Sequence, residues 1–435
     1  MTLALRLAQA GKEVTLLESA PQLGGLASAW ELGDVVWDRH YHVTLLSDRH
    51  IRALLCELGL EEQMRWGVTR TGFFTGGKLY SMSNPMEFAR FPPLGMLDKV
   101  RLAATIWYAS RVKDGRRLEE ITAIEWLGCL SGERTLNSIW IPLLRSKLGE
   151  NYCKASAAFI WAIIARMYAA RSAGMKQEMF GYMPGGYART LAALEQALRN
   201  ARVKIEYCTG ARRVHASAGG VRIEMEDDAR VFDRTVLTVP SPLVAALCPE
   251  LTTAEQQGLR SVEYQGIVCA SLLLDKPLSP YYITNITDGW VPFTAVIEMS
   301  ALVNCSEFGG RSLVYLPKYV APDAMEFQQS DEDIRQRFFA ALSRMYPHFS
   351  QSNVAAFRVS RVKHVFPITT LRYSNRVPPM ATSIPNVFVA NSAQIVNGTL
   401  NANETVQLAN NAARELLCAS SGYEYEADAA GKSVA

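Results

Sequence analysis

The sequence predicts an α/β protein in which a Rossmann-like domain, cut into three stretches, is interleaved with an α+β domain of mixed sheet plus helices. Three observations predict it. Residues 1–19, MTLALRLAQAGKEVTLLES, read as helix, turn, strand and acid, the second half of a dinucleotide-binding βαβ unit. Residues 95–180 run mainly at helical period, whereas 262–320 hold strand-like runs such as IVCASLLL and SLVYLP. The chain then closes on another α/β piece, the strand NVFVA (386–390), a loop, and a helix from Glu404 to Leu417.

The elements follow in order. Leu3, Leu5, Leu7 and Ala8 start a helix that Gly11 ends, and Val14 to Leu17 form a short strand closing on Glu18. Residues 47–66 show helical spacing through Ile51, Leu54, Leu55 and Leu58. FFTGGKLYSM (73–82) predicts a hairpin turning at Gly76 and Gly77. The apolar run Ala155 to Ala165 is too short to span a bilayer and predicts a buried helix. YMPGGYARTLAALEQALRN feeds a helix with Leu191, Leu194 and Leu198 on one face. VKIEY, ARRVHAS, GVRIEME and TVLTVP then read as four strands of one meander. One helix is expected over 331–346, and the polar tail 419–435 is expected to be disordered.

Bulk properties narrow the function classes. At 435 residues the chain can hold two domains. Its 45 basic and 42 acidic residues leave a net charge of +3, which argues against nucleic acid as a partner. Eight cysteines without C-x-x-C spacing, and six histidines that do not interleave with them, predict no metal and a reducing compartment. No secretory leader is legible, since Arg6 and Gln9 interrupt the first ten residues. The expectation is a cytoplasmic protein with a small-molecule substrate and no transmembrane segment. Peripheral contact with the inner face of a membrane is compatible with it.

The candidate site residues begin with Glu18. An acid at the end of the second strand can accept both hydrogen bonds of a ribose diol. Gly24 and Gly25 follow, and paired glycines let backbone amides approach a pyrophosphate or a ring without a Cβ in the way. In WDRHYHV (37–43), His40 and His42 share one side of a strand and could line a site or an exposed face. At the other end of the chain, a helix opening at Asn403-Glu404 presents free N–H groups and a positive dipole end. Asn401 or Asn403 could cap it.

The acid closing a strand, the GG loop and the D-x-x-x-H segment together resemble the flavoprotein superfamily of amine oxidases, protoporphyrinogen oxidases and carotenoid (phytoene) desaturases. UDP-galactopyranose mutases are more distant members. The resemblance continues through MPGGYARTLAALEQAL, ARRVHAS, VLTVPSP and the closing NVFVANSAQIVNGTLNANETVQLANNAARELL, so it covers nearly the whole chain. It implies FAD as cofactor and places Val214 at the adenine. It also sets the helix opening at Asn403-Glu404 against the flavin. Two departures matter. Asn391 stands where the family carries an acid on a ribityl hydroxyl, and Leu26 stands where many amine oxidases carry arginine after the GG pair. Leu26 therefore weakens the amine-oxidase branch relative to the other two. No catalytic side chain is assigned.

The implied domains are 1–72, 183–245 and 355–418 for FAD, and 73–182 with 246–354 for substrate. The implied function is an FAD-dependent oxidoreductase that oxidises or desaturates a largely apolar substrate. The alternatives are a flavin-dependent isomerase of the UDP-galactopyranose mutase type and a non-catalytic remnant. The fingerprint's first strand and G-x-G-x-x-G turn would precede Met1. The expectation is that in-frame codons upstream encode them, and that the 435-residue form binds FAD poorly and an extended form well.

Overall fold

Short apolar segments build the parallel part of the molecule, and the computed structural model describes residues 1–171, 179–396 and 398–419. Helix α1 (Thr2–Gln9) buries Leu3, Ala4 and Leu5. Gly11 follows at φ +79°, a conformation glycine adopts without steric cost, and the chain enters β1 (Thr15–Leu17). The strands β2 (Ala29–Leu32) and β3 (Val35–Asp38) form a hairpin, followed by β4 (Thr44–Leu45) and α2 (Arg49–Glu57). The helical spacing over 47–66 therefore does not persist. Gly59 at φ +68° turns the chain, and Arg65–Val68 becomes strand β5. The hairpin of β6 (Thr71–Thr75) and β7 (Lys78–Ser81) turns at Gly76 and Gly77, both with positive φ.

A helical block comes next: α3 (Pro85–Ala89), α4 (Met96–Arg111), α5 (Ala123–Ser131), the single turn α6 (Glu133–Thr135), α7 (Ile141–Leu148) and α8 (Ala157–Arg171). Thr122 and Glu125 form a reciprocal cap at the start of α5. The block packs around Trp126, Leu127, Leu148 and Phe159. The expected buried helix is α8, whose Ala157 to Ala162 are all buried. Among the described residues no helix is long and apolar enough to cross a membrane.

After β8 (Met179–Tyr182), which joins β4 and β5, helix α9 (Gly186–Asn200) leads to β9 (Lys204–Glu206), parallel to β1. The meander consists of β10 (Arg213–Ser217), β11 (Gly220–Glu224) and β12 (Ala229–Phe232). The four-strand reading is thus corrected at both ends. VKIEY and TVLTVP are short strands that find parallel partners far along the chain, a pairing their local pattern does not encode. The TVL of the latter is β13 (Thr235–Leu237), followed by α10 (Ser241–Leu247) and α11 (Thr253–Arg260).

The second half is dominated by one sheet. It adds β14 (Tyr264–Leu274), β15 (Ile283–Ile286), β16 (Ala295–Glu298), β17 (Ser312–Val320), helix α12 (Asp331–Met345) and β18 (Val354–Pro367). The seven-stranded order is β18-β14-β17-β16-β15-β6-β7. Every residue of β14 is buried, because α12 covers one face through Phe338 and Leu342 while Trp37 and Tyr315 pack on the other. Residues 355–367, grouped by sequence with the closing unit, run along the edge of this sheet as part of β18. Finally β19 (Val387–Val389) lies parallel to β13 and leads to α13 (Ala402–Ala419). The tail 420–435 lies outside the described residues.

Candidate functional site

In parallel α/β sheets, ligands bind outside the carboxyl ends of the strands. Here those ends carry Glu18 after β1 and Asn391 after β19. The Glu18 backbone extends the ladder to β9, donating to the Glu206 carbonyl at 2.9 Å and accepting from the Thr209 N–H at 2.8 Å. Its Oε1 accepts the Ala20 N–H at 2.9 Å. Its Oε2 has no protein donor among the described residues, so one face of the carboxylate is open. The start of α1 shares this site: burial holds the Met1 amino group below its usual pKa, and the Glu18 charge opposes that shift. A positive helix end thus lies beside an acid with an open oxygen. Val214 of β10 is wholly buried in the same apolar cluster as Leu17, which sets the meander against the end of β1.

The GG loop is shaped by its glycines. Gly24 has φ +119°, and a Cβ there would stand 2.5 Å from Leu191 Cδ1, so only glycine fits. Gly25 has φ +54°, is exposed, and has nothing within 4 Å of where a Cβ would point. Its backbone is approachable from that side. Ser28 Oγ donates to the Gly25 carbonyl at 2.8 Å and fixes the turn. Leu26 is half-buried, and its carbonyl faces Nδ1 of His40 at 3.2 Å. The other ring nitrogen of His40 lies 3.1 Å from Ser360 Oγ on β18. Burial, then the neighbouring His42, lower the His40 pKa to about 4. The neutral ring therefore donates to Leu26 and accepts from Ser360, tying the loop to the large sheet. His42 instead lies 3.6 Å from the buried Asp38 carboxylate.

At the closing end, Asn391 is buried and committed to the fold. Its Nδ2 donates to the Val239 carbonyl at 2.8 Å, and its Oδ1 accepts the Ala393 N–H at 3.0 Å. Asn401 caps α13, accepting the Glu404 N–H at 3.1 Å. Asn403 plays a different part. Its Oδ1 accepts the His50 N–H at 2.8 Å and the Ile51 N–H at 3.3 Å, capping α2 from α13. Its Nδ2 donates to Glu404 at 3.1 Å. Leu23 of the GG loop, Met1, Ala402 and Val406 belong to one apolar cluster, so the loop, the start of α1 and the start of α13 are gathered together.

Sequence reasoning missed a second group, on the sheet face that His40 adjoins. The Tyr41 and Tyr319 hydroxyls lie 2.8 Å apart, and burial together with Tyr319 raises the Tyr41 pKa well above its usual value. The Lys147 ammonium sits 4.8 Å from the Tyr319 ring and 5.4 Å from that of Phe366. Gln265 pairs in register with Phe366, is wholly buried, and has no hydrogen-bond partner for either amide atom among the described residues. These residues come from separated segments, so no local spacing marks them. The only legible sign is Tyr41, lying between His40 and His42. Arg166 pairs with Asp48 at 2.8 Å and Arg372 with Glu120 at 2.7 Å, while the side chain of Arg171, the third arginine that a sugar-nucleotide diphosphate could call on, lies outside what is described. Among the described residues no cluster of His, Cys, Asp or Glu could hold a metal.

Comparison with known proteins fits this arrangement. The model of the flavin-containing amine oxidoreductase family matches residues 1–417. No curated protein matches the sequence. Among solved structures, one from Exiguobacterium sp. 255-15 that carries the name protoporphyrinogen oxidase superposes with a TM-score of 0.76 at 18% identity, covering 96% of each chain. Wild-type putrescine oxidase bound to putrescine gives 0.72 at 14% identity, also covering 96% of each chain. Reduced UDP-galactopyranose mutase gives 0.70 at 12% identity, covering 97% of this chain and 92% of that one. At these identities the structures establish a shared fold.

Proposed function

The chain belongs to the flavin-containing amine oxidoreductase family, and from that premise we propose that it is an FAD-dependent oxidoreductase acting on a largely apolar small molecule. The observation that carries the reading is the gathering of the GG loop, the start of α1 and the start of α13 in one cluster, beside Glu18 with its open carboxylate oxygen. These residues fit the cofactor. Glu18 would take the ribose diol, the open backbone at Gly25, held in its turn by Gly24, would lie against the pyrophosphate or ring, and Val214 would stand at the adenine. The helix opening at Asn403-Glu404 would face the ribityl chain and ring, while Asn391, whose amide is spent on Val239 and Ala393, would hold the turn after β19 rather than a ribityl hydroxyl. Bound FAD supplies the hydride chemistry.

The protein's own contribution is binding, orientation and exclusion of water. His40 holds Leu26, and with it the GG loop, against the sheet without carrying charge. The aromatic wall of Tyr41, Tyr319 and Phe366 offers an apolar substrate a surface on the same side of the sheet. Lys147 supplies a cation beside that wall able to fix a substrate's orientation. The test is a calorimetric titration with FAD, followed by anaerobic bleaching of the flavin bands with panels of apolar amines, porphyrinogens and polyenes. Bleaching by one panel identifies the substrate class, and a protein with no affinity for FAD overturns the proposal.

A further inference from the structure

Helix α4 has two apolar faces. One packs inward through Leu102, Thr105 and Ala109, all buried, against α5 and α8. The other looks out to solvent. Met96 is 69% exposed, Leu97 63%, Val100 62%, Trp107 55% and Tyr108 46%, and Met86 on α3 adds 64%. Six of the twelve exposed large apolar side chains among the described residues thus fall within 23 consecutive positions. They are not scattered. At about 100° per residue, positions 96, 97, 100, 104, 107 and 108 fall on a single stripe opposite the buried one. Isolated exposed apolar residues need no explanation, but a contiguous stripe does.

The exposed charges around the stripe are mostly of one sign. Arg90, Arg101, Arg111, Lys113, Arg116 and Arg117 are exposed, and none of their charged groups has an acidic partner among the described residues. Arg111 lies over the Trp107 ring at 5.3 Å. Glu133 on α6 is exposed beside α4, and three other nearby acids are engaged within the fold. Asp98 caps α4 and faces Arg134 at 3.7 Å, and Asp114 accepts the Arg116 N–H at 3.0 Å. Glu87 accepts from Ser81 at 2.5 Å and Ser83 at 2.8 Å. Aliphatic residues, an indole and a phenol on one helix face, rimmed by long cations, match a bilayer surface with anionic headgroups. A second copy of the chain is a poorer occupant, because an isologous contact would bring the same cations of both copies together.

We infer that the outer face of α4, with Met86, docks on an anionic membrane surface, its axis in the plane of the interface. The inference is independent of the cofactor reading. It is tested by sedimenting the full-length protein with phosphatidylcholine vesicles, with and without phosphatidylglycerol. Binding is expected to vesicles containing the anionic lipid and to weaken with salt. The combined variant Leu97→Ser, Val100→Ser, Trp107→Ser should lose about tenfold or more in partitioning, with unchanged circular dichroism, since all three side chains point to solvent. The charge variant Arg111→Ala, Lys113→Ala, Arg116→Ala, Arg117→Ala should bind anionic and neutral vesicles alike. Failure of the wild type to sediment with anionic vesicles overturns the inference. So does equal binding by the folded triple variant, or a wild-type dimer that the triple variant abolishes without any lipid binding.

Discussion

His40 Nδ1 stands 3.2 Å from the carbonyl oxygen of Leu26, with its opposite nitrogen 3.1 Å from the Ser360 hydroxyl. One neutral ring therefore joins the GG loop to a strand 320 residues away. Its pKa is depressed to about 4 by burial from an ordinary 6.5. The unfolded chain takes up this proton before the folded one does. The stability His40 confers is thus complete above about pH 6.5 and is lost as the pH falls toward about 4, by up to about 3 kcal/mol. Urea unfolding at about pH 7 and about pH 5 should show about 2 kcal/mol of that loss in the wild type and a smaller one in His40→Gln. Equal losses in both would remove His40 from this role.

Asn403 is expected to act on stability through α2. Asn403→Ala removes the acceptor for the His50 and Ile51 N–H groups at the start of that helix. The cost should be about 1–2 kcal/mol in thermal or urea unfolding. Asn403→Asp, which keeps an acceptor at a helix N-terminus, should recover most of it. An alanine variant as stable as the wild type would contradict the capping role.

How much of this could be read from residues alone differs from part to part. The paired glycines at 24–25 and 76–77, the apolar run that forms α8, and the periodicity of the segments that form α9 and α12 are legible because turns and helices are local. Pairing is not. Nothing in VKIEY marks β1 as its partner, and nothing in 354–367 marks β14. Asn403 is legible as a helix-start residue, but the helix it caps begins at Arg49, hundreds of residues earlier. Lys147, Tyr319 and Gln265 become a group only where the large sheet meets α7.

The orientation of α13 can be tested electrically. Thr405 is exposed in the first turn of that helix. With FAD bound, Thr405→Glu should lower the flavin reduction potential, because added negative charge opposes the reduced anion, and Thr405→Lys should raise it. Spectroelectrochemical titration reads both. A potential indifferent to either charge means that the helix start does not face the ring.

Gly25 supplies a steric test. Because a Cβ there meets nothing within 4 Å of the protein, Gly25→Ala should fold, with a strain cost of about 1 kcal/mol from its positive φ. Its FAD affinity should fall more than its stability, since the open space is where the cofactor would approach. A matching small loss in both measurements would indicate a plain turn.

The central claim is that Glu18 and the elements gathered around it form a dinucleotide site, and calorimetric titration of FAD into the wild type and Glu18→Gln tests it most directly. The account predicts that FAD binds, and that in the folded variant its affinity is weaker by about 1–3 kcal/mol, the loss of a charge-assisted bond pair. FAD binding of unchanged affinity in Glu18→Gln, or no FAD binding by the wild type, would contradict it.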